Sequence, residues 1–157
     1  MMRNRAAAAS ALLSLCFVLM SGCAPTTSGA QAQAQLPPPS GAARVWFLRQ
    51  FEPGEFIGWS PWLYINGQQF TTDAAGTAFY RDFPPGTYTF SVQSCGQDTN
   101  QAATLQLVPG IEIYLETQSL AGFAPYDCVP PTTFYERQIS PRWAQLYLPQ
   151  LRYLGPR

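Results

Sequence analysis

The sequence predicts an all-β protein: a small antiparallel β-sandwich of about seven or eight short strands with a short C-terminal helix. Three observations predict it. Aromatic residues make up 14% of the chain and charged residues only 11%, where about a quarter of an average globular protein is charged. Turn formers are plentiful, with 15 prolines and 12 glycines in 157 residues. From residue 43 onward, short runs of β-forming residues recur between Gly, Pro and Asn, which is the pattern of strands joined by tight turns. The length allows one domain plus an unstructured segment.

Residues 1–22 read as an export signal. Arg3 and Arg5 give a positive start, and residues 6–20 are apolar except for Ser10 and Ser14. The run is shorter than the roughly 20 apolar residues of a membrane span. It ends in Met20-Ser21-Gly22-Cys23, which resembles the lipobox of bacterial lipoproteins: an aliphatic residue, two small ones, then the cysteine that takes the lipid. The resemblance implies cleavage before Cys23 and lipid on its thiol. Ala24 is not the Asp associated with inner-membrane retention, so it also implies the outer membrane, with the domain facing the periplasm. The competing reading is ordinary cleavage near Ala30, which discards Cys23. Cys16 follows the bulky Leu15 and reads as an apolar residue of the signal.

Residues 23–42 read as the lipidated cysteine and a flexible tether. After Cys23 the stretch is Ala, Gln, Pro, Ser, Thr and Gly in low-complexity order with the single Leu36, and it offers too little apolar surface to offset the entropy of ordering. Pro37-Pro38-Pro39 stiffens its end.

Residues 43–157 are the expected domain. Residues 44–49 (RVWFLR) and 61–65 (PWLYI) are strand candidates. Asn66-Gly67 then marks a type I′ hairpin turn, so residues 68–72 return antiparallel. Residues 77–83 form the next strand. Pro84-Pro85-Gly86 turns the chain into residues 87–93, where Tyr88, Phe90 and Val92 alternate with Thr87, Thr89, Ser91 and Gln93. Residues 102–108 alternate likewise. After Pro109-Gly110, Ile111, Ile113 and Leu115 are expected on the core face and Glu112, Tyr114 and Glu116 outward. Residues 132–139 make the last strand. Ser140 can cap a helix with Pro141 at its first position, and Pro149 stops it. Trp143, Leu146 and Tyr147 lie on one stripe of that helix. It is therefore expected to dock over or beside the Trp62/Tyr64 face, as the one amphipathic element available to cover it.

Residue types exclude several chemistries whatever the fold. The chain has no His, and all nine basic residues are Arg. A Ser-His-Asp triad, a Cys-His pair, a His-ligated zinc, a Schiff base and a P-loop lysine are all impossible. Arg does not replace them as a base, because its pKa stays above about 12. Carboxylates are the remaining acid/base groups. Glu112 and Glu116 share a strand face but stand about 13 Å apart along it at ~3.3 Å per residue, beyond the ~5–9.5 Å of glycosidase pairs. Asp73, Asp82, Asp98 and Asp127 sit where Asp supports turns. No enzyme, cofactor or metal site is expected. Removal of residues 1–22 leaves seven arginines against nine acidic residues, with no basic cluster for a nucleic acid.

Two features remain. Cys95 and Cys128 are the cysteines left beside Cys23, in an oxidising compartment, and are expected to form a disulfide that pins the connection at residues 122–131; free or intermolecular thiols are the alternative. Trp59, Trp62 and Tyr64 gather several rings in one neighbourhood. Such rings can stack on sugars or anchor a partner, or they can simply fill the core of a thin sandwich.

The succession of these segments over residues 43–151, above all W-L-Y-I-N-G, A-F-Y-R-D-F and P-P-G-T-Y-T-F-S-V, resembles a family of small bacterial lipoproteins, domain of unknown function 2846. The last piece is also similar to the proline-glycine hairpin of PEGA domains, small β-sandwich modules of bacterial surface proteins. The resemblance implies a sandwich in the cell envelope and carries no catalytic residues. The expected function is that of an outer-membrane-anchored periplasmic lipoprotein, a structural or protein-interaction module held by its lipid in the bilayer and contacting an envelope protein. The alternative is a glycan- or peptidoglycan-binding module using exposed aromatics.

Overall fold

A computed structural model of the chain describes residues 29–34, 36–52, 58–95, 101–121 and 132–157. Its hairpins form where the turn chemistry demands. Asn66 and Gly67 hold φ at 51° and 76°, the left-handed pair of a type I′ turn. They join β2 (Trp62–Ile65) to β3 (Gln68–Thr72). Pro84 and Pro85 turn β4 (Thr77–Phe83) into β5 (Gly86–Val92), which pairs antiparallel with β6 (Ala103–Leu107). Gly110, at φ 81°, precedes β7 (Glu112–Ala121), which pairs antiparallel with β8 (Thr132–Ile139).

These strands and β1 (Ala43–Arg49) build two sheets. The four-stranded sheet runs β3-β2-β5-β6 and is antiparallel throughout. The five-stranded sheet runs β8-β7-β1-β4-β9, where β9 is Arg152–Pro156. It contains two parallel pairs, β1 with β7 and β4 with β9. Parallel neighbours need a crossover connection. Here the chain between β1 and β7 makes the whole opposite sheet before it returns. The sandwich class is as expected; the parallel pairs and β9 are additional.

Phe47 and Phe79 stack at the centre of the inter-sheet core, their centroids 5.1 Å apart, and Phe90 meets Phe47 edge-on at 5.8 Å. Val45, Leu63, Leu107 and Leu115 complete the same buried cluster. Along β2 the side chains alternate, with Leu63 buried and Trp62 turned out.

The outer face of the five-stranded sheet corrects two expectations. All seven residues of β1 are buried, so Trp46 and Leu48 must also be covered on the side away from the sandwich. They are covered by α1 (Gly29–Gln33), α2 (Pro141–Tyr147) and the 3-10 turn Leu148–Gln150. Ala30, Ala144, Leu148 and Leu151 pack there against Trp46, Leu48, Ala78 and Tyr114. Hence α2 does not lie over Trp62 and Tyr64, which belong to the other sheet. The Ser140 cap accepts from the Trp143 N–H, and Pro141 starts the helix as expected. The helix nevertheless buries its Ala144 side, leaving Trp143 and Leu146 exposed. The physical reason is proximity: α2 follows β8 directly, and the apolar outer face beside β7 is what it meets first. The same covering corrects the exposure expected on β7: Ile113 and Leu115 face the inter-sheet core as expected, but Tyr114 and Glu116 on the other face are buried too.

Part of the stretch expected as a tether is also packed. Ala30 is fully buried, and Arg44 Nη1 donates to the Leu36 carbonyl at 2.8 Å while its Nε donates to Asp82 at 2.8 Å.

Burial decides the energetic roles of the two tryptophans. Trp46→Ala is expected to cost about 3–5 kcal/mol as a large-to-small change in a packed interior. Trp143→Ala is expected to cost less than about 1 kcal/mol, because that ring is exposed and stacks on Tyr147 at a centroid distance of 6.1 Å. Urea titration of both variants checks the ordering, and equal losses would contradict the observed docking of α2.

Candidate functional site

The structure divides the aromatic neighbourhood. Trp59 is half-buried and packs against the inter-sheet core, and its carbonyl accepts from Arg49 Nη1 at 3.0 Å. It therefore belongs to the scaffold. Trp62 and Tyr64 project from the outer face of the four-stranded sheet. Trp62 is 38% exposed, and Tyr64 is half-buried opposite Ser91. The Trp62 backbone is held on both sides: its N–H donates to Gln93 Oε1 at 3.3 Å, and its carbonyl accepts from the Gln93 N–H at 2.7 Å.

The rest of that outer face is polar and uncharged. Along β5 it carries Thr87, Thr89 and Ser91, and along β6 Thr104 and Gln106. Thr87 donates to Gln106 Oε1 at 2.6 Å, and the Thr89 and Thr104 hydroxyls meet at 3.0 Å. Asn66 closes the end of the sheet, its Oδ1 accepting from the Thr89 N–H at 2.8 Å. Two rings thus stand beside ladders of hydroxyls and amides.

A second feature is a groove of about 410 Å³ where the two sheets part beside the β2–β3 turn. Ile65, Phe70, Phe83 and Tyr88 line it with apolar surface, and Asn66, Gln68, Gln69, Arg81 and Asp82 add polar groups. Arg81 lies over both the Phe70 and Phe83 rings, at 4.9 and 5.5 Å, so its guanidinium stacks on the wall of the groove.

The opposite end of the sandwich interior holds a polar cluster that the sequence reading missed. Asp73 is fully buried rather than supporting an exposed turn, and Glu136, Thr117 and Arg49 are buried with it. Arg49 Nη1 donates to the Asp73 carbonyl, and its guanidinium lies 4.9 Å from the Phe134 ring centroid. The Thr117 hydroxyl donates to Glu136 Oε2 at 3.0 Å. Glu52 Oε2 accepts from the Ser119 N–H at 2.9 Å and from its hydroxyl at 2.8 Å. Among the described residues, neither Asp73 carboxylate oxygen has a hydrogen-bond partner. Glu136 was readable in principle: it shares strand parity with the core residue Phe134, two positions earlier. Asp73 was not, because nothing local marks a strand-end Asp as interior.

Glu112 and Glu116 do share one face of β7, on the side under the helices. The Tyr114 hydroxyl donates to Glu112 at 2.9 Å, and Gln118 Nε2 donates to Glu116 at 2.9 Å. Each is thus engaged with a different neighbour.

Cys95 ends the segment after β5. Its N–H donates to the Thr132 carbonyl at 3.3 Å, and its carbonyl accepts from the Thr133 hydroxyl at 3.0 Å. Cys23 and Cys128 lie outside the described residues.

No family model, curated protein or solved structure matches this chain. Its surfaces must therefore be interpreted from their own chemistry.

The buried carboxylates make stability depend on pH. Burial pushes the Asp73 carboxyl up from 3.8 to about 6, against the smaller opposing effects of Thr117, Arg49 and Arg157. Burial likewise pushes Glu136 well above the usual carboxylate range, and the Asp73 charge adds to it. Between the unfolded and folded values the folded state binds more protons, so stability falls as pH rises through that window. For Asp73 alone the loss amounts to about 3 kcal/mol. The urea midpoint is expected to drop as pH is raised from about 4 to about 7, and Asp73→Asn should flatten much of that slope. An unchanged slope in the variant would show that Asp73 is not the group responsible.

Proposed function

We propose that this protein is a lipid-anchored, non-enzymatic binding module of the cell envelope, and that the outer face of the four-stranded sheet binds a glycan. The observation that carries this reading is the pairing of Trp62 and Tyr64 with the uncharged Thr, Ser and Gln ladders of β5 and β6. A sugar ring presents apolar C–H faces and a rim of hydroxyls. Flat rings serve the first, and hydroxyl and amide side chains serve the second. Because the helices sit on the other sheet, Trp62 keeps 38% of its surface open. The absence of His and Lys from the sequence supports binding without catalysis.

A protein partner is the second reading, and the groove favours it. Apolar walls from Ile65, Phe70 and Phe83, edged by Gln68, Gln69 and Arg81, suit an inserted side chain.

The envelope location rests on the Arg start, the apolar run and Met20-Ser21-Gly22-Cys23. Lipid on Cys23 and delivery to the outer membrane, facing the periplasm, belong to this proposal. So does the resemblance to small envelope lipoproteins with a PEGA-like hairpin. A Cys95–Cys128 disulfide belongs to it as well. Cys95 is bonded to Thr132 and Thr133 at the start of β8, and Cys128 lies only four residues before Thr132 in sequence. Its removal is expected to cost about 3–4 kcal/mol.

Two experiments check the proposal. Sedimentation with purified peptidoglycan sacculi measures binding directly, and Trp62→Ala or Tyr64→Ala should weaken it about tenfold each, as expected for loss of a stacked ring. Undiminished binding by both variants would remove this face from consideration. Binding lost on Phe70→Ala but kept by the other two would favour the groove. Mass spectrometry of protein extracted from the envelope should find acyl chains on the Cys23 peptide. The same map, run without reductant, should find the Cys95 and Cys128 peptides joined. Unmodified Cys23 and free thiols would refute the anchor and the bond respectively.

A further inference from the structure

We propose that the helix-bearing face is a membrane-contact surface, with Trp143 and Leu146 seated among the headgroups of an anionic phospholipid bilayer and Arg142 against its phosphates. This rests on the proposal that Cys23 carries lipid, and it adds which side of the domain meets the bilayer.

The first ground is the unusual exposure on α2. Trp143 is 54% exposed and Leu146 is 53% exposed, although both are large and apolar. Ala144 and Leu148 face the sheet. At about 100° per residue that orientation turns Arg142, Trp143 and Leu146 away from it. Tyr147 stacks on Trp143 and broadens the ridge. A Trp beside Arg, above a small apolar surface, is the composition of segments that lie in a membrane interface.

The second ground is where the anchor emerges. The helix α1 packs against β9 and the 3-10 turn that directly follows α2. Ala30 is buried in the same cluster as Leu148 and Leu151, and Tyr153 lies against Gly29. Cys23 is six residues before Gly29. Even fully extended, that stretch spans only about 20 Å. The lipid is therefore held near the helix-bearing face, and the segment left as a spacer is far shorter than residues 23–42 imply by composition.

The third ground is charge. Residues 24–139 contain all nine acidic residues and only four arginines, whereas residues 140–157 contain three arginines and no acidic residue. Arg142 is exposed on the same side as Trp143, whereas Arg152 alternates to the side opposite Tyr153, and Arg157 lies over the Phe79 ring and donates to the Thr71 hydroxyl of the other sheet. Arg142 thus sets a cation beside the apolar ridge, on a terminal segment with no acidic residue, which suits contact with phosphate headgroups.

The arrangement also leaves the outer face of the four-stranded sheet turned away from the bilayer, because the two sheets lie on opposite sides of the core.

The test uses the full chain, purified with its native modification and reconstituted into vesicles of phosphatidylethanolamine and phosphatidylglycerol with brominated acyl chains. Bromine quenches only tryptophans in contact with the lipid. A quenched share of the emission is expected, and Trp143→Phe should abolish most of it, while Leu146→Glu should reduce it. Quenching that is the same in wild type and Trp143→Phe, or no quenching at all, overturns the surface. Mass spectrometry of Cys23 in the same preparation reports separately on the anchor. A hexahistidine tag in place of residues 1–22, held on nickel-chelating lipid, brings the chain to the same vesicles whatever happens at Cys23. Trp143-dependent quenching in that arm supports the surface even if the anchor reading fails, and its absence overturns the surface even if Cys23 is acylated.

Discussion

The architecture depends on one constraint: β1 is buried on both faces. Ala43, Val45 and Phe47 point into the sandwich, while Trp46 and Leu48 point away from it into a second apolar cluster. A strand with two apolar faces cannot lie at the surface of a two-layer sandwich, because one face would remain in water. The chain resolves this by pairing β1 with β4 on one side and β7 on the other, then covering the far side with two short helices. The molecule is consequently a sandwich with a third, partial layer. The docking of α1 and α2, the burial of Tyr114 and the openness of the other sheet all follow from that need.

The two sheets are therefore unequal, and the inequality separates their surfaces. The five-stranded sheet spends its outer face on packing. The four-stranded sheet keeps its own outer face for solvent, with uncharged ladders and two rings. The helix-bearing side ends in an apolar ridge flanked by Arg142. Between the layers, the buried Arg49 holds the loop ends together through hydrogen bonds to the Asp73 and Trp59 carbonyls. These bonds satisfy main-chain groups that would otherwise be buried without partners. Beside them the Asp73 carboxylate is held out of water, which makes this end of the sandwich responsive to protonation.

How legible the structure was varies with the range of the interaction. The Asn66-Gly67 hairpin, the β4–β5 turn and the cap at Ser140 were all readable, because each is decided by residues within a few positions of one another. That Trp62 and Leu63 lie on opposite faces of β2 was readable from alternation; which of the two faces packs inward was not, because both carry large apolar residues. What β7 pairs with was not: its parallel contact with β1 joins segments more than sixty residues apart, and neither carries a local mark of the other. The helix α1 reads as low-complexity sequence, since its helical form depends on Ala30 filling a small space beside Leu148. The strand β9, with Gly155 and Pro156, lacks strand character of its own and is ordered by its pairing with β4.

By itself, the sequence determined the class of fold, the positions of most strands and turns, and the chemistries closed to a chain without His or Lys. Those follow from short-range periodicity, backbone preference and side-chain type. Only the tertiary structure decided which apolar faces meet. It buried the Glu116 side of β7, turned Trp143 and Leu146 outward, drew Asp73 into the interior and left Trp62 uncovered. The reason is that burial is a property of surfaces brought together from distant parts of the chain. An alternating pattern says that two faces differ; it does not say which of several apolar faces will find a partner.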